Sequence, residues 1–221
     1  MWEQIQASYT LLAAMSNPQA QVFSFEPYLI NQTRLLKNIT LNGLNNIEVI
    51  NKAIGNQNNK IKFGVPAQGG ICDTSSANLS FAKSTYRGEI KWKEIEVDQI
   101  SLDTFIQNQK LAKVDLLKVD VEGYETSVFE GAQRLFQDHR PYIFCEIFLG
   151  AHNREYFEKL LQQHNYYVYM LLKEGIVSLG KGIIPNPDGL NFLFSPIPAE
   201  KVYLSYKEMP GIVNTFFPPH L

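Results

Sequence analysis

The chain has 221 residues, of which 45% are hydrophobic and 19% charged, enough apolar material for the core of one domain with additions and too much for a disordered chain. Its net charge of −2 and pI of about 6.1 leave no basic excess for a phosphate backbone, so nucleic acid is not an expected partner.

Cys72 and Cys145 are the only cysteines, lie far apart and form no C-x-x-C pair, which excludes a disulfide framework and a structural zinc site. Two free thiols fit a reducing compartment. The start, Met1-Trp2-Glu3-Gln4, has no cationic leader pattern, and every apolar run is far shorter than the ~20 residues of a membrane span. The expected setting is therefore cytoplasmic, with no membrane partner.

In chain order, residues 9–15 read as the end of a helix closed by Asn17-Pro18. Residues 21–25 form a short β-type run ending at Glu26-Pro27. Residues 28–41 carry a helical stripe of Leu29, Leu35, Leu36 and Ile39, stopped by Gly43. Residues 47–54 read as one strand and 60–65 as another. Residues 64–88 turn to Gly, Ser, Asn and Thr and read as a long loop. A half-exposed strand around Ile95 and Val97 follows, then a short helix over 102–109.

Residues 114–121 form a strand broken by Gly123, and 124–137 a helix with Val128, Phe129, Ala132, Leu135 and Phe136 on one stripe. The apolar run 142–148 predicts a central strand covered on both faces. Tyr156, Phe157, Leu160 and Leu161 mark another helix, and 166–172 and 191–194 the last strands. Strands alternating with helices predict an α/β protein with a parallel sheet. The expected organisation is one domain over 1–200 and a tail over 201–221.

In open α/β sheets ligands lie beyond the carboxyl ends of the strands. Three such ends carry carboxylates: Glu26, the pair Asp120 and Glu122, and Glu146. Glu26 is placed to accept bonds from ribose hydroxyls, or to charge the first turn of the helix after Pro27. Asp120 and Glu122 stand two apart and can share a side, as a general base, an ammonium anchor or a metal site. The plainer reading is that Glu122 and Glu125 decorate a helix N-terminus. Glu146 interrupts Ile143-Phe144-Cys145-Glu146-Ile147, a costly place for a carboxylate unless it lines a cleft or pairs with a cation such as Arg140. His139, His152 and His164 have no metal-ligand spacing; Asp120, Glu122 and Glu146 together could hold a magnesium or calcium ion, but no ligand spacing requires one, so metal dependence stays open.

Several motifs together resemble one family. Phe23-Ser24-Phe25-Glu26-Pro27, Asn38, Leu41-Asn42-Gly43-Leu44, Asn51-Lys52-Ala53-Ile54-Gly55, Ser101-Leu102-Asp103, the run from Val114 to Glu125 (Val-Asp-Leu-Leu-Lys-Val-Asp-Val-Glu-Gly-Tyr-Glu), Gly131-Ala132, Arg140-Pro141 and Glu146 are similar in kind and order to the FkbM family of S-adenosylmethionine-dependent O-methyltransferases. The resemblance spans roughly residues 8 to 195. It implies a class I methyltransferase fold, Rossmann-like, with a doubly wound, mostly parallel sheet. It also implies S-adenosylmethionine as cofactor and a hydroxyl of a small molecule or sugar as acceptor. Glu26 with Pro27 would hold the ribose, and Lys52 and Ala53 would lie near the adenine. Asp120 would sit near the reacting methyl, and Glu122 and Glu146 would line the acceptor side, with Asp120 or Glu122 as base. A homodimer would be unsurprising.

One departure stands out. Family members open with a strand and a glycine loop, Asp-x-Gly-Ala-Asn-x-Gly in pattern, where this sequence reads Met1-Trp2-Glu3-Gln4-Ile5-Gln6-Ala7, and its first glycine is Gly43. The first central strand is thus expected to be missing or degenerate. The alternative function is an N-terminally shortened or inactive methyltransferase-like interaction module. A dinucleotide-dependent oxidoreductase fits less well, because it needs the same glycine loop and gives the Asp120–Glu125 run no role.

Overall fold

Helices and strands alternate in the computed structural model, which describes residues 5–67, 92–121, 123–147, 151–172, 175–184 and 190–198, and the fold is α/β. The chain divides into two compact units, Met1–Phe105 and Ile106–Leu221. The expected tail over 201–221, most of the loop over 64–88, Cys72 and Glu122 fall outside the described residues.

The first unit begins with α1 (Ile5–Ser16), β1 (Val22–Phe25), α2 (Leu29–Leu41) and β2 (Ile47–Ile50). β1 and β2 pair in parallel, from Val22 opposite Ile47 to Phe25 opposite Ile50. Asn46 fixes the entry to β2 by donating its side-chain amide to the carbonyls of Ala14 (3.2 Å) and Ala20 (3.0 Å). Gly43 ends α2 in a left-handed conformation (φ +63°), which lets the Leu44 amide reach back to the Ile39 carbonyl. Phe23 and Phe25 meet Phe105 edge to face, with ring centroids 5.2 and 4.8 Å apart.

The strand expected over 47–54 is divided. After β2 the Lys52 amide donates to the Ile50 carbonyl (2.9 Å), a tight turn that lets the chain leave β1 and start β3 (Ala53–Ile54). β3 pairs in parallel with β5 (Trp92–Ile100), which also pairs antiparallel with β4 (Lys60–Pro66). Tyr28, Ala53, Phe63, Val65 and Val97 form the buried core of this part. Gly55 lies against the buried Gln99, whose side-chain amide donates to the Gln57 carbonyl. The unit boundary falls within α3 (Leu102–Gln109), which the hydroxyl of Ser101 caps by accepting the Thr104 amide.

In the second unit come β6 (Leu116–Val119), α4 (Glu125–Glu130), a π-helical turn (Leu135–His139), β7 (Tyr142–Glu146), α5 (Ala151–Gln163), β8 (Tyr167–Leu172), β9 (Gly175–Gly180) and β10 (Asn191–Ser195). The strand order is β6-β7-β10-β8-β9. β6 and β7 are parallel, whereas β7–β10, β10–β8 and β8–β9 are antiparallel. The expectation of a mostly parallel sheet therefore needs correction: the sheets are mixed. β9 pairs antiparallel with β8 at the edge of this sheet, and it was not anticipated because its strand alternates poorly around glycines.

The helix expected over 124–137 is likewise interrupted. α4 ends at Gly131, and the chain resumes as the π-helical turn that closes with Arg140 at φ +49° before Pro141. The predicted apolar stripe still packs inward: Val128, Phe129, Ala132, Leu135 and Phe136 are all buried. Phe129 meets Phe136 and Phe157 edge to face at 5.6 and 5.7 Å, while Phe136 stacks on His164 at 5.0 Å. β7 is central, as expected, but only one face is fully covered: Ile143, Cys145 and Ile147 are buried and Tyr142, Phe144 and Glu146 half-buried.

Candidate active site

Glu26 follows β1 in the first unit. Its amide donates to the Ile50 carbonyl (3.0 Å), extending the parallel pairing by one bond and turning its side chain inward, where it is buried. There the carboxylate accepts the Tyr28 amide at 2.8 Å on Oε1 and the Asn31 side-chain amide at 3.4 Å on Oε2. Burial pushes Glu26 up to about 7, against those two donors, which favour the charged form. It therefore holds the entry to α2 through the Tyr28 amide and the Asn31 side chain without capping the helix itself, and its second oxygen is only weakly engaged.

Pro27, Tyr28 and Leu29 at the start of α2, Asn51 after β2, and Lys60 and Ile95–Asp98 on the β4–β5 ribbon line a cleft of about 330 Å³ in the same unit. Lys60 is ion-paired to Glu96 across 2.9 Å. Lys52 is half-buried at the β2–β3 turn. The Ala53 side chain belongs to the core cluster, so only its backbone is on offer to a ligand.

The second unit carries the denser site. Because β6 and β7 are parallel with Val119 opposite Cys145, the next residues on each strand, Asp120 and Glu146, come together. They are hydrogen-bonded to one another. Two carboxyls can bond only with a proton between them, so protonated Glu146 donates to the Asp120 carboxylate. Burial, then the Asp120 charge and this bond, push Glu146 up to about 7; Lys118 works the other way and Glu125 adds to the rise. Lys118 and Asp120 form an ion pair at 3.1 Å. Arg140, the expected cation for Glu146, instead donates to the carbonyls of His164 (2.8 Å) and Asn165 (3.5 Å) and lies over the Tyr166 ring.

Two members of this cluster were not singled out from the sequence. Lys118 lies two residues before Asp120 and so on the same face of the strand, a signal the period of β-structure already contained. Glu125, read as surface decoration, is 2% exposed and accepts the Gly123 amide at 2.9 Å. The thiol of Cys145 is fully buried and burial pushes it well up, so it is inert packing and no nucleophile. His164 is also a core residue, stacked and buried. Among the described residues no group of three or more His, Cys, Asp or Glu side chains is placed to hold a metal ion, and no helix is long and apolar enough to cross a membrane.

Residues 4–175 match the family described as the methyltransferase FkbM domain. Among solved structures the chain is similar to methyltransferase FkbM from Methylobacillus flagellatus KT, at 16% identity and a TM-score of 0.51. That alignment covers 87% of this chain and 41% of the other, so the chain spans about two-fifths of the protein it matches. No match to a curated protein reaches significance. A family match over more than half of the residues settles the classification: the chain belongs to the FkbM methyltransferase domain family.

Proposed function

We propose that the protein is an S-adenosylmethionine-dependent O-methyltransferase acting on a hydroxyl of a small molecule or carbohydrate in the cytoplasm. The observation that carries this reading is the Asp120–Glu146 pair at neighbouring strand ends, one of whose carboxyls is pushed up to about 7. A general base works best when its proton affinity lies near the working pH, and deprotonating a hydroxyl is the demand that O-methylation makes. The strand order β6-β7-β10-β8, with only β10 reversed among its neighbours, and the parallel β1–β2 pair support the finer reading of a doubly wound class I sheet.

The donor chemistry of the first unit suits the cofactor. A carboxylate with one oxygen weakly engaged can accept ribose hydroxyls, and the cleft beside Pro27, Tyr28 and Asn51 is large enough for a purine. When bound, S-adenosylmethionine supplies a sulfonium methyl group open to in-line attack. In this reading Glu26 and Pro27 hold the ribose, with Lys52 and the Ala53 backbone near the base. Glu146, ionised, takes the acceptor's proton; Lys118 keeps Asp120 in register for it. Positioning supplies the rest of the rate.

The test has two arms. Titration with S-adenosylhomocysteine to ~100 times its dissociation constant should stabilise the chain by about 2.7 kcal/mol, a rise in melting temperature of about 5–10 °C. A panel of hydroxylated acceptors, including monosaccharides, should release S-adenosylhomocysteine from S-adenosylmethionine. A cooperative transition that ignores S-adenosylhomocysteine would overturn the cofactor assignment. Binding without turnover on any acceptor would favour the inactive, interaction-module alternative.

A further inference from the structure

The last paired residues of β6 and β7 are Val119 and Cys145, so the ladder ends one residue before the carboxyl pair. Lys118 grips the Asp120 carboxylate from the strand at 3.1 Å, and the backbone beyond it is set by the turn that follows. Among its described residues, one side chain gathers the amides of that turn. Glu125, the first residue of α4, is 2% exposed and folds back so that Oε1 accepts the Gly123 amide at 2.9 Å; its own amide and that of Val121 also bond to the carboxylate. Gly123 supplies the φ of +97° that turns its amide inward, a conformation closed to most side chains, and the Tyr124 amide closes the turn on the Val121 carbonyl at 3.3 Å. A carboxyl that merely favoured a helix dipole would sit in water. This one is buried among the amides of one turn.

We infer that Glu125 is a second positioning residue of the carboxyl pair, beside Lys118: by gathering the amides of the turn after β6 it holds Asp120 against Glu146. The inference rests on the reading of that pair as the catalytic base. Glu125 does not itself take the acceptor's proton. The charged and titratable groups that bear on Glu146 are Lys118 on β6, Asp120 just after it, Cys145 on β7 and Glu125 on α4.

Reach and charge are separable here. Glu125→Asp keeps the charge but is one methylene too short for the Gly123 amide, whereas Glu125→Gln keeps the reach and loses the charge. The readout is a carbon-13 carboxyl titration of Glu146 by NMR, with the Glu146 signal assigned by its loss in Glu146→Gln. Positioning predicts that Glu125→Asp lowers the proton affinity of Glu146 by about tenfold or more, as the Asp120 contact loosens, and that Glu125→Gln changes it less than about threefold. An unchanged titration in Glu125→Asp, or a fall in Glu125→Gln as large as in Glu125→Asp, overturns the inference. Should Glu125→Asp not fold, Glu125→Gln decides alone: a retained midpoint supports positioning and a tenfold fall overturns it. In the transfer assay Glu125→Asp should lower kcat and leave the KM for S-adenosylmethionine unchanged. Absence of transfer in the wild-type chain would overturn the methyltransferase reading, while the titration would still decide the role of Glu125.

Discussion

Glu26 and Glu146 each stand at the end of a strand that has a parallel neighbour, and each is pushed up to about 7, yet by different routes. Around Glu26 the partners Tyr28 and Asn31 are both hydrogen-bond donors, and burial alone raises it. Around Glu146 a second carboxylate adds its charge and a bond that needs the proton. The first arrangement lowers the cost of a charge that a hydroxyl-bearing ligand can then complete; the second keeps a proton ready to be exchanged. In the proposed reading similar proton affinities serve unequal roles, a holder in one unit and a base in the other.

The sharpest way to break that comparison is to exchange each carboxyl for an amide. Glu146→Gln should lower kcat by about 10²–10⁴-fold, the usual contribution of a general base, and leave the stabilisation by S-adenosylhomocysteine intact. Glu26→Gln should do the reverse, abolishing that stabilisation. If the two variants lose binding and turnover alike, the division of labour is wrong. Asp120→Asn sharpens the point through pH. Wild-type activity should rise through about pH 7 as Glu146 ionises. Removing the Asp120 charge lets Glu146 ionise more readily, so the rise should move to lower pH. A pH–rate profile that stays in place would remove Asp120 from the pair.

A second effect concerns the fold. A carboxyl at 4.5 when unfolded and about 7 when folded binds its proton more tightly in the folded state. Its contribution is complete below pH 4.5 and is lost as pH rises to about 7, which costs on the order of 3 kcal/mol for a group as buried as Glu26. Glu26→Gln should thus be more stable than wild type at pH 8, by about 1–3 kcal/mol in denaturant unfolding, with little difference at pH 4.5. A gain in stability with a loss of binding is the mark of a residue kept for a ligand. Equal pH dependence in both proteins would instead make Glu26 a simple support of the entry to α2.

What could be read from the sequence followed the strength of the local signal. Helices with an apolar stripe and a glycine stop, such as α2, and the strands of β1, β4 and β8 fell where periodicity placed them. The division of 47–54 did not, because the apolar residues on both sides of Asn51-Lys52 read as one strand and only the Ile50–Lys52 turn, a backbone event, separates two partners. The direction of β10 and the presence of β9 depend on which strand each one meets, and no residue type encodes that. At the site, the three strand ends that carry carboxylates were legible, since a charge in an apolar run is conspicuous. Their contacts were not: the register of β6 on β7 bonds Asp120 to Glu146, and the inward fold of Glu125 needs the left-handed Gly123. Glu122 lies outside the described residues.

A third, smaller effect tests whether the first site can be disturbed by itself. A β-carbon on Gly55 would lie 2.5 Å from Gln99 Cδ, and Gln99 is buried and bonded to the Gln57 carbonyl, so it has little room to give way. Gly55→Ala should cost about 1–3 kcal/mol, the usual range for overpacking. It should also weaken S-adenosylhomocysteine binding through the Lys52–Ala53 segment just before it. The carboxyl titration of Glu146 should not move. A shift there would show that the two sites are coupled.

The smallest effect has the opposite sign to that of Glu26. His164 is held below its ordinary value by burial first and by the Arg140 charge second, so the folded state prefers the neutral ring stacked on Phe136. Its contribution is complete above the unfolded value of about 6.5 and is lost as pH falls below it. Between pH 4.5 and 6.5 acidification should therefore favour the first unit through Glu26 while it disfavours the second through His164. His164→Gln, which cannot gain a charge, loses the stacking at every pH but should remove the acid-side decline. The measurement is the slope of unfolding free energy against pH in wild type and variant over that window. If the slopes are the same, His164 is protonated as readily in the folded chain as in the unfolded one, and the Phe136 stack does not discriminate between its two forms.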